Sequence, residues 1–153
     1  MKKIKIVKWD EKYHCNFINL SIEWLEKYVS VEDADLKILN DPHGQILDNG
    51  GNIFFAISGT DVVGTVAMIK IDENAFELAK LAVTEQFKGY KIGNQLMEAC
   101  IHYAKNKNAC KIILYTNQKL IPAIHLYKKY GFNEVPLVNN KYLESDMKME
   151  LSL

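Results

Sequence analysis

The sequence predicts an α/β (α+β) chain: a mixed, mostly antiparallel sheet of about seven strands flanked by helices on both faces. Three observations carry this expectation. Apolar runs of strand length alternate with hairpin turns in both halves of the chain. One strand, Ala75 to Val83, feeds through a basic glycine turn into an amphipathic helix and then a second apolar strand, which is a β–α–β passage. The length of 153 residues, with 48% apolar side chains, suits one domain with one sizeable core, residues 1–153.

Lys3 to Val7 alternates charge with apolar residues and reads as a half-buried strand. Tyr13 to Tyr28 places Phe17, Leu20, Ile22, Trp24 and Leu25 at helical spacing. Ser30 or Asp33 is the expected cap of a second helix through Leu39, broken by Asp41-Pro42-His43-Gly44, with a short turn to Leu47 as its expected resumption. Asp48-Asn49-Gly50-Gly51 is a turn. Ile53 to Ile57 and Val62 to Lys70 flank SGTD, a hairpin signal. Asp72-Glu73-Asn74 turns the chain into the strand Ala75 to Val83. The next helix is expected from about Lys91 to Lys105, with Ile92, Leu96, Cys100 and Tyr103 inward and Asn94, Glu98, His102 and Lys105 mostly outward. Lys111 to Thr116 is continuously apolar enough to be covered on both faces. Pro122 opens a further helix and Gly131 closes it. Phe132 to Val135 and Tyr142 to Leu151 are the last expected strands.

Composition narrows the function classes. The 19 basic and 19 acidic side chains cancel, which argues against a nucleic-acid binder driven by bulk charge. Three cysteines without CxxC spacing suggest a reducing compartment, no disulfide framework and no zinc site. No apolar run approaches membrane-spanning length, so the expected address is the cytoplasm with no membrane partner.

The chemistry concentrates in FELAKLAVTEQFKGYKIGN, residues 76–94. A strand running into a helix N-terminus presents orphan N–H groups and a partial positive charge, a natural anion site. Lys88 and Lys91 add charge, and Gly89 and Gly93 allow close approach to the backbone. The same residues also read as a tight turn with two solvated lysines. Glu77 is either a sheet-face acid paired with Lys80 or Lys70, or a general base at the mouth of a cleft. Asn117 ends a strand. Tyr127, read alone, is a core tyrosine of an amphipathic helix, and His125 is a surface or partly buried histidine.

Taken together and in this order, these residues resemble the GCN5-related N-acetyltransferase (GNAT) family. ELAKLAVTEQFKGYKIGNQL is similar to its acetyl-coenzyme A signature, Gln/Arg-x-x-Gly-x-Gly/Ala. Glu77 stands where many members keep a glutamate base, Asn117 closes the next strand, and PAIHLYKKYGF is similar to the last helix and its exit. The resemblance implies a single N-acetyltransferase domain with acetyl-CoA as cosubstrate and no metal. It implies that Leu81, Ala82 and Val83 pair with the pantetheine arm, in a mode that needs a splayed sheet edge. Lys88, Gly89, Tyr90, Lys91, Ile92, Gly93 and Asn94 would cradle the pyrophosphate, and Asn117 would contact the arm. Glu77 would take the amine's proton and Tyr127 would protonate the leaving thiolate.

Lys91 replaces the final Gly or Ala of the signature, and a helical backbone at Lys91 is the expectation. The partners implied are acetyl-CoA and an amine acceptor, without nucleic acid; a homodimer stays open. In folds of the family it resembles, the acceptor is set by the segment after the first strand and by the last hairpin, here roughly residues 22–50 and 136–145. These hold Trp24, Tyr28, His43, Asn139 and Tyr142 with Glu23, Glu26, Asp33, Asp35 and Glu144; the acids suit a cationic amine and read equally well as solvated helix faces. A noncatalytic coenzyme A-binding module is the competing reading.

Overall fold

The computed structural model describes residues 3–138 and 141–153; Asn139, counted above with the acceptor region, lies outside them. Seven strands form one sheet in the order β1-β2-β3-β4-β5-β7-β6. They are β1 (Ile4–Lys8), β2 (Asn52–Ser58), β3 (Asp61–Asp72), β4 (Ala75–Val83), β5 (Lys111–Thr116), β6 (Asn133–Val135) and β7 (Met147–Ser152). Every neighbouring pair is antiparallel except β4 and β5. The helices are α1 (His14–Tyr28), α2 (Asp33–Asn40), α3 (Pro42–Gln45), α4 (Ile92–Asn106) and α5 (Ile121–Lys129).

The strand alternation sorts the core onto two faces. Phe54, Ala56, Val66 and Met68 pack with Leu96, Met97 and Cys100 of α4. Ile53, Phe55 and Ala67 turn the other way, onto Phe17 of α1 and Ile38 and Leu39 of α2. This period of two on a sheet covered on both sides explains why its central strands read as nearly unbroken apolar runs.

Several boundaries differ from expectation for identifiable reasons. The cap of α2 is neither Ser30 nor Asp33. It is Glu32, whose backbone N–H is returned to Asp35 Oδ2 at 2.9 Å. Asp41 does not simply break the chain: its carboxylate accepts the Gly44 N–H at 3.1 Å and starts α3, with Pro42 in the first turn. α5 begins at Ile121, one residue before Pro122. It ends as expected at Gly131 (φ 99°), where the Phe132 N–H reaches back to the Tyr127 carbonyl at 3.1 Å. The expected strand from Tyr142 begins only at Met147. Residues before it spend their backbone groups on side chains: Leu143 and Glu144 donate to Glu32, and the Glu144 carbonyl accepts from Asn117.

Candidate active site

The site begins with an irregularity in β4. Pairing with β3 runs from Leu78 opposite Met68 to Ala79 opposite Ala67, then resumes with Ala82 opposite Thr65. β4 therefore spends one residue more than β3 over this interval, a bulge, and Lys80 within it takes φ 56°. A bulge bends its strand and ends pairing locally. On its other side β4 pairs with β5 only at Ala75, Phe76 and Glu77. Beyond Glu77 the two parallel strands part, and the edge from Leu78 to Val83 faces an open wedge.

Two cavities fill this wedge and share Trp24, Leu81, Leu120 and Tyr127. The larger, about 340 Å³, has an apolar floor including Leu81, Val83 and Leu126, and carries Lys88, Gly89, Lys91, Ile92, Gly93 and Asn94. The N–H groups of residues 89–94 donate to no acceptor among the described residues. Gly89 stands at φ 86° with nothing within 4 Å of where a Cβ would be. Lys88 is held with its ammonium 4.9 Å from the centroid of the Tyr28 ring. Consecutive free donors at a helix N-terminus, two lysines and an apolar wall suit an extended ligand with an anionic end. The helical backbone expected at Lys91 is corrected here. Lys91 is the N-cap of α4 at φ 60°, ψ 28°, the left-handed region that a Gly in the signature would enter freely.

The smaller cavity, about 110 Å³, is lined by Glu77, Ala82, Tyr115, Asn117, Tyr127 and Tyr142 among others. Glu77 is 4% exposed. Neither Lys80 nor Lys70 is its partner. Lys141 approaches Oε1 at 2.8 Å and the Tyr142 hydroxyl donates to Oε2 at 3.2 Å. Lys70 pairs instead with Glu73. Lys80 forms a buried ion pair with Asp35, turned there by the bulge. Burial pushes the Tyr142 phenol well above the ordinary tyrosine range, with the Glu77 charge as a second cause.

Tyr127 packs in the core and also lines both cavities. Its hydroxyl has no hydrogen-bond partner among the described residues. Burial pushes its pKa up to about 12, so it is a phenol, not a phenolate, at neutral pH. Asn117 lines the smaller cavity, where its side chain donates to the Glu144 carbonyl at 2.6 Å and accepts the Lys119 N–H at 3.0 Å. Tyr90 is 50% exposed and lies outside both linings. Sequence reasoning placed Asp35 among the acids of the acceptor region and Lys80 only as a possible partner of Glu77, so their pairing with each other was not foreseen. Lys141 was not singled out, because nothing local distinguishes it from the other surface lysines.

The sequence matches the acetyltransferase (GNAT) family over residues 14–132. It is 31% identical over 120 residues to an uncharacterised N-acetyltransferase of Bacillus subtilis, YvbK, covering 76% of this chain and 77% of that protein. Against N-acetyltransferase 8B of Rattus norvegicus it is 30% identical over 92 residues, 57% of this chain, and it spans only 41% of that protein's length. Among solved structures, a GNAT-family acetyltransferase of Staphylococcus aureus Mu50 superposes with TM-score 0.88 and 25% identity, over 98% of this chain and 99% of the other. The PaiA N-acetyltransferase of Thermoplasma acidophilum, solved with coenzyme A, shares the fold at TM-score 0.77 and 17% identity, each chain 99% covered.

Proposed function

Because the chain belongs to the GNAT acetyltransferase family, we propose that it moves an acetyl group from acetyl-CoA to a primary amine held in the same cleft. The observation that carries this reading is the parting of β4 from β5 beyond Glu77, with a lysine-bearing cavity on one side and an acid-bearing cavity on the other. An unpaired strand edge is ready to receive an extended arm as an added strand, and Leu81, Ala82 and Val83 supply it. Lys88, Gly89, Lys91, Ile92, Gly93 and Asn94 hold the pyrophosphate with backbone donors and charge. Tyr90 takes part through its backbone only, and Asn117 closes the arm's far end.

Acetyl-CoA is a consumed cosubstrate that brings an already activated thioester, so the chain's own task is positioning and proton traffic. An alkylammonium must lose a proton before it can attack. Glu77 takes that proton, directly or through water. Tyr127, at the junction of the two cavities, holds a phenolic proton for the leaving sulfur. Holding both substrates in one wedge supplies much of the rate through proximity. No covalent enzyme intermediate is needed.

The test combines binding with turnover. Coenzyme A should raise the melting temperature by binding the native state, and Gly89→Glu should remove that shift by placing bulk and negative charge among the donors. Acetyl transfer to an amine panel, read by mass, should follow. Binding without any turnover would reduce the protein to a coenzyme A-binding module. A full shift in Gly89→Glu would move the cofactor elsewhere.

A further inference from the structure

The two halves of the cleft are electrically opposed although the chain carries no net charge. The larger cavity is lined by Lys88 and Lys91 and by no acid. The smaller is lined by four acids, Glu32, Asp35, Glu77 and Glu144, against one cation, Lys80. Two of the acids are neutralised, Asp35 by Lys80 and Glu77 by Lys141. Glu32 and Glu144 have no cation among the described residues. Glu32 accepts the N–H groups of Leu143 and Glu144, and Glu144 accepts from the Ser30 hydroxyl at 2.8 Å. These neutral donors orient the carboxylates without cancelling their charge.

Two further observations point to what this half receives. An alkylammonium is already seated on the acid floor: the Lys141 ammonium rests 2.8 Å from Glu77 and 5.2 Å from the Tyr142 ring centroid. The Lys80 ammonium also lies over the same ring, at 5.0 Å from its centroid, so this ring serves two ammonium groups. Secondly, Ser21 in the cavity wall is 2% exposed, and its hydroxyl has no hydrogen-bond partner among the described residues. A buried hydroxyl left without a partner is a vacant contact for a polar ligand. No lysine or arginine of the lining is free to receive a carboxylate, so a zwitterionic amino acid would meet only repulsion at its acid end.

We propose that the acceptor is a small flexible diammonium or polyammonium compound. One amine takes the place of Lys141 on Glu77 to be acetylated, while a second ammonium is held by Glu144 and Glu32 at the outer edge. The proposal rests on the acetyltransferase reading and adds the substrate class to it. The space of about 110 Å³ admits a slender alkyl chain rather than a folded peptide.

Three probes of matched length separate the alternatives: 1,4-diaminobutane, butylamine and 4-aminobutanoate. With acetyl-CoA, kcat/KM for the diamine should exceed that for butylamine by about fivefold or more, the scale of one partly exposed ion pair. 4-Aminobutanoate should be the poorest. Raising salt should erode the diamine's advantage. Glu144→Gln keeps the Ser30 hydrogen bond and should move the diamine-to-butylamine ratio toward one through KM. Glu32→Gln should do the same, which guards against one variant folding poorly, and Glu73→Gln, the same charge loss outside the cleft, should keep the wild-type ratio. Equal use of the three amines, or a ratio untouched by both cleft variants, overturns the diammonium assignment and leaves the acetyltransferase standing. If no amine is acetylated, the enzyme reading falls, and calorimetry on the coenzyme A-loaded protein decides this one. Diamine binding tighter than butylamine and weakened by Glu144→Gln supports it, and equal or absent binding overturns it.

Discussion

In the proposed reaction Tyr127, which lines both cavities, and Glu77, which lines the smaller, divide the proton work, and their environments differ. Tyr127 is buried, its phenol has no partner among the described residues, and its pKa stands near 12. Tyr127→Phe therefore loses no internal hydrogen bond, so its melting temperature at pH 7 should stay near wild type. Turnover should fall by roughly ten- to a thousandfold if the phenol delivers a proton. The same raised pKa makes an alkaline prediction. Stability from burying the neutral phenol is complete below about pH 10, the unfolded value, and is lost as pH rises toward about 12. Wild type should lose stability more steeply than Tyr127→Phe, by about 1–1.5 kcal/mol between pH 9 and pH 11, readable from urea titrations at those two values. Full turnover in the variant would leave Tyr127 as packing alone. Glu77 has the complementary role in the proposed reaction. Glu77→Gln keeps a partner for the Tyr142 hydroxyl but cannot take a proton. Its rate loss should be greatest at the acid end of the profile, where unprotonated amine is scarce, while coenzyme A affinity holds. A uniform loss of coenzyme A affinity with normal turnover would make Glu77 structural.

At the scale of elements, the turn into α4 carries a cost that its sequence explains. Lys91 occupies the left-handed region as the N-cap of α4, where a side chain costs about 1–2 kcal/mol. Lys91→Gly should release this strain and raise the melting temperature by about 2–8 °C, at about 2–4 °C per kcal/mol for a chain of this size. It should also weaken coenzyme A binding by the loss of one charge, with a smaller salt dependence of that affinity. A lower melting temperature would show that the lysine side chain contributes packing exceeding the strain. The strained residue lines the larger cavity, where, in the proposed reading, charge near an anionic ligand offsets a modest loss of stability.

Over the whole molecule, one buried ion pair ties the helical layer to the sheet at the point where the strands part. Asp35 in the first turn of α2 and Lys80 in the bulge of β4 have side chains only 4% and 6% exposed. Asp35→Ala should cost about 3–5 kcal/mol, because it leaves an ammonium buried without a counter-charge. Asp35→Leu combined with Lys80→Met should recover most of that stability, while amine KM rises because the acceptor side is no longer braced. Full loss in the double variant would mean that the backbone of the bulge itself depends on the lysine. Denaturant melts of the three proteins distinguish the two.

How much of this was legible beforehand follows from the range of each interaction. Ala75–Val83 and Lys111–Thr116 were read to the residue, because burial on both faces writes a continuous apolar run. The GNAT resemblance is borne out by the family match over residues 14–132; it was legible because the glycine-lysine turn is local, with strand, glycines, lysines and helix start following one another in the chain. The true start of β7 and the left-handed Lys91 escaped, since the first depends on a side chain more than a hundred residues away, as with Glu32 and Leu143, and the second on a backbone torsion. The cap of α2 is a local Glu32–Asp35 box that the choice of Ser30 or Asp33 passed over. Sequence alone determined the family and the order of strand, glycine turn and helix, and it offered Glu77 and Tyr127 as candidates. Only the tertiary structure decided that Glu77 sits under Lys141 and Tyr142 while Lys80 goes to Asp35. The physical reason is that a charge chooses its partner by distance through space in a poorly screened cleft, and separation along the chain carries no record of that distance.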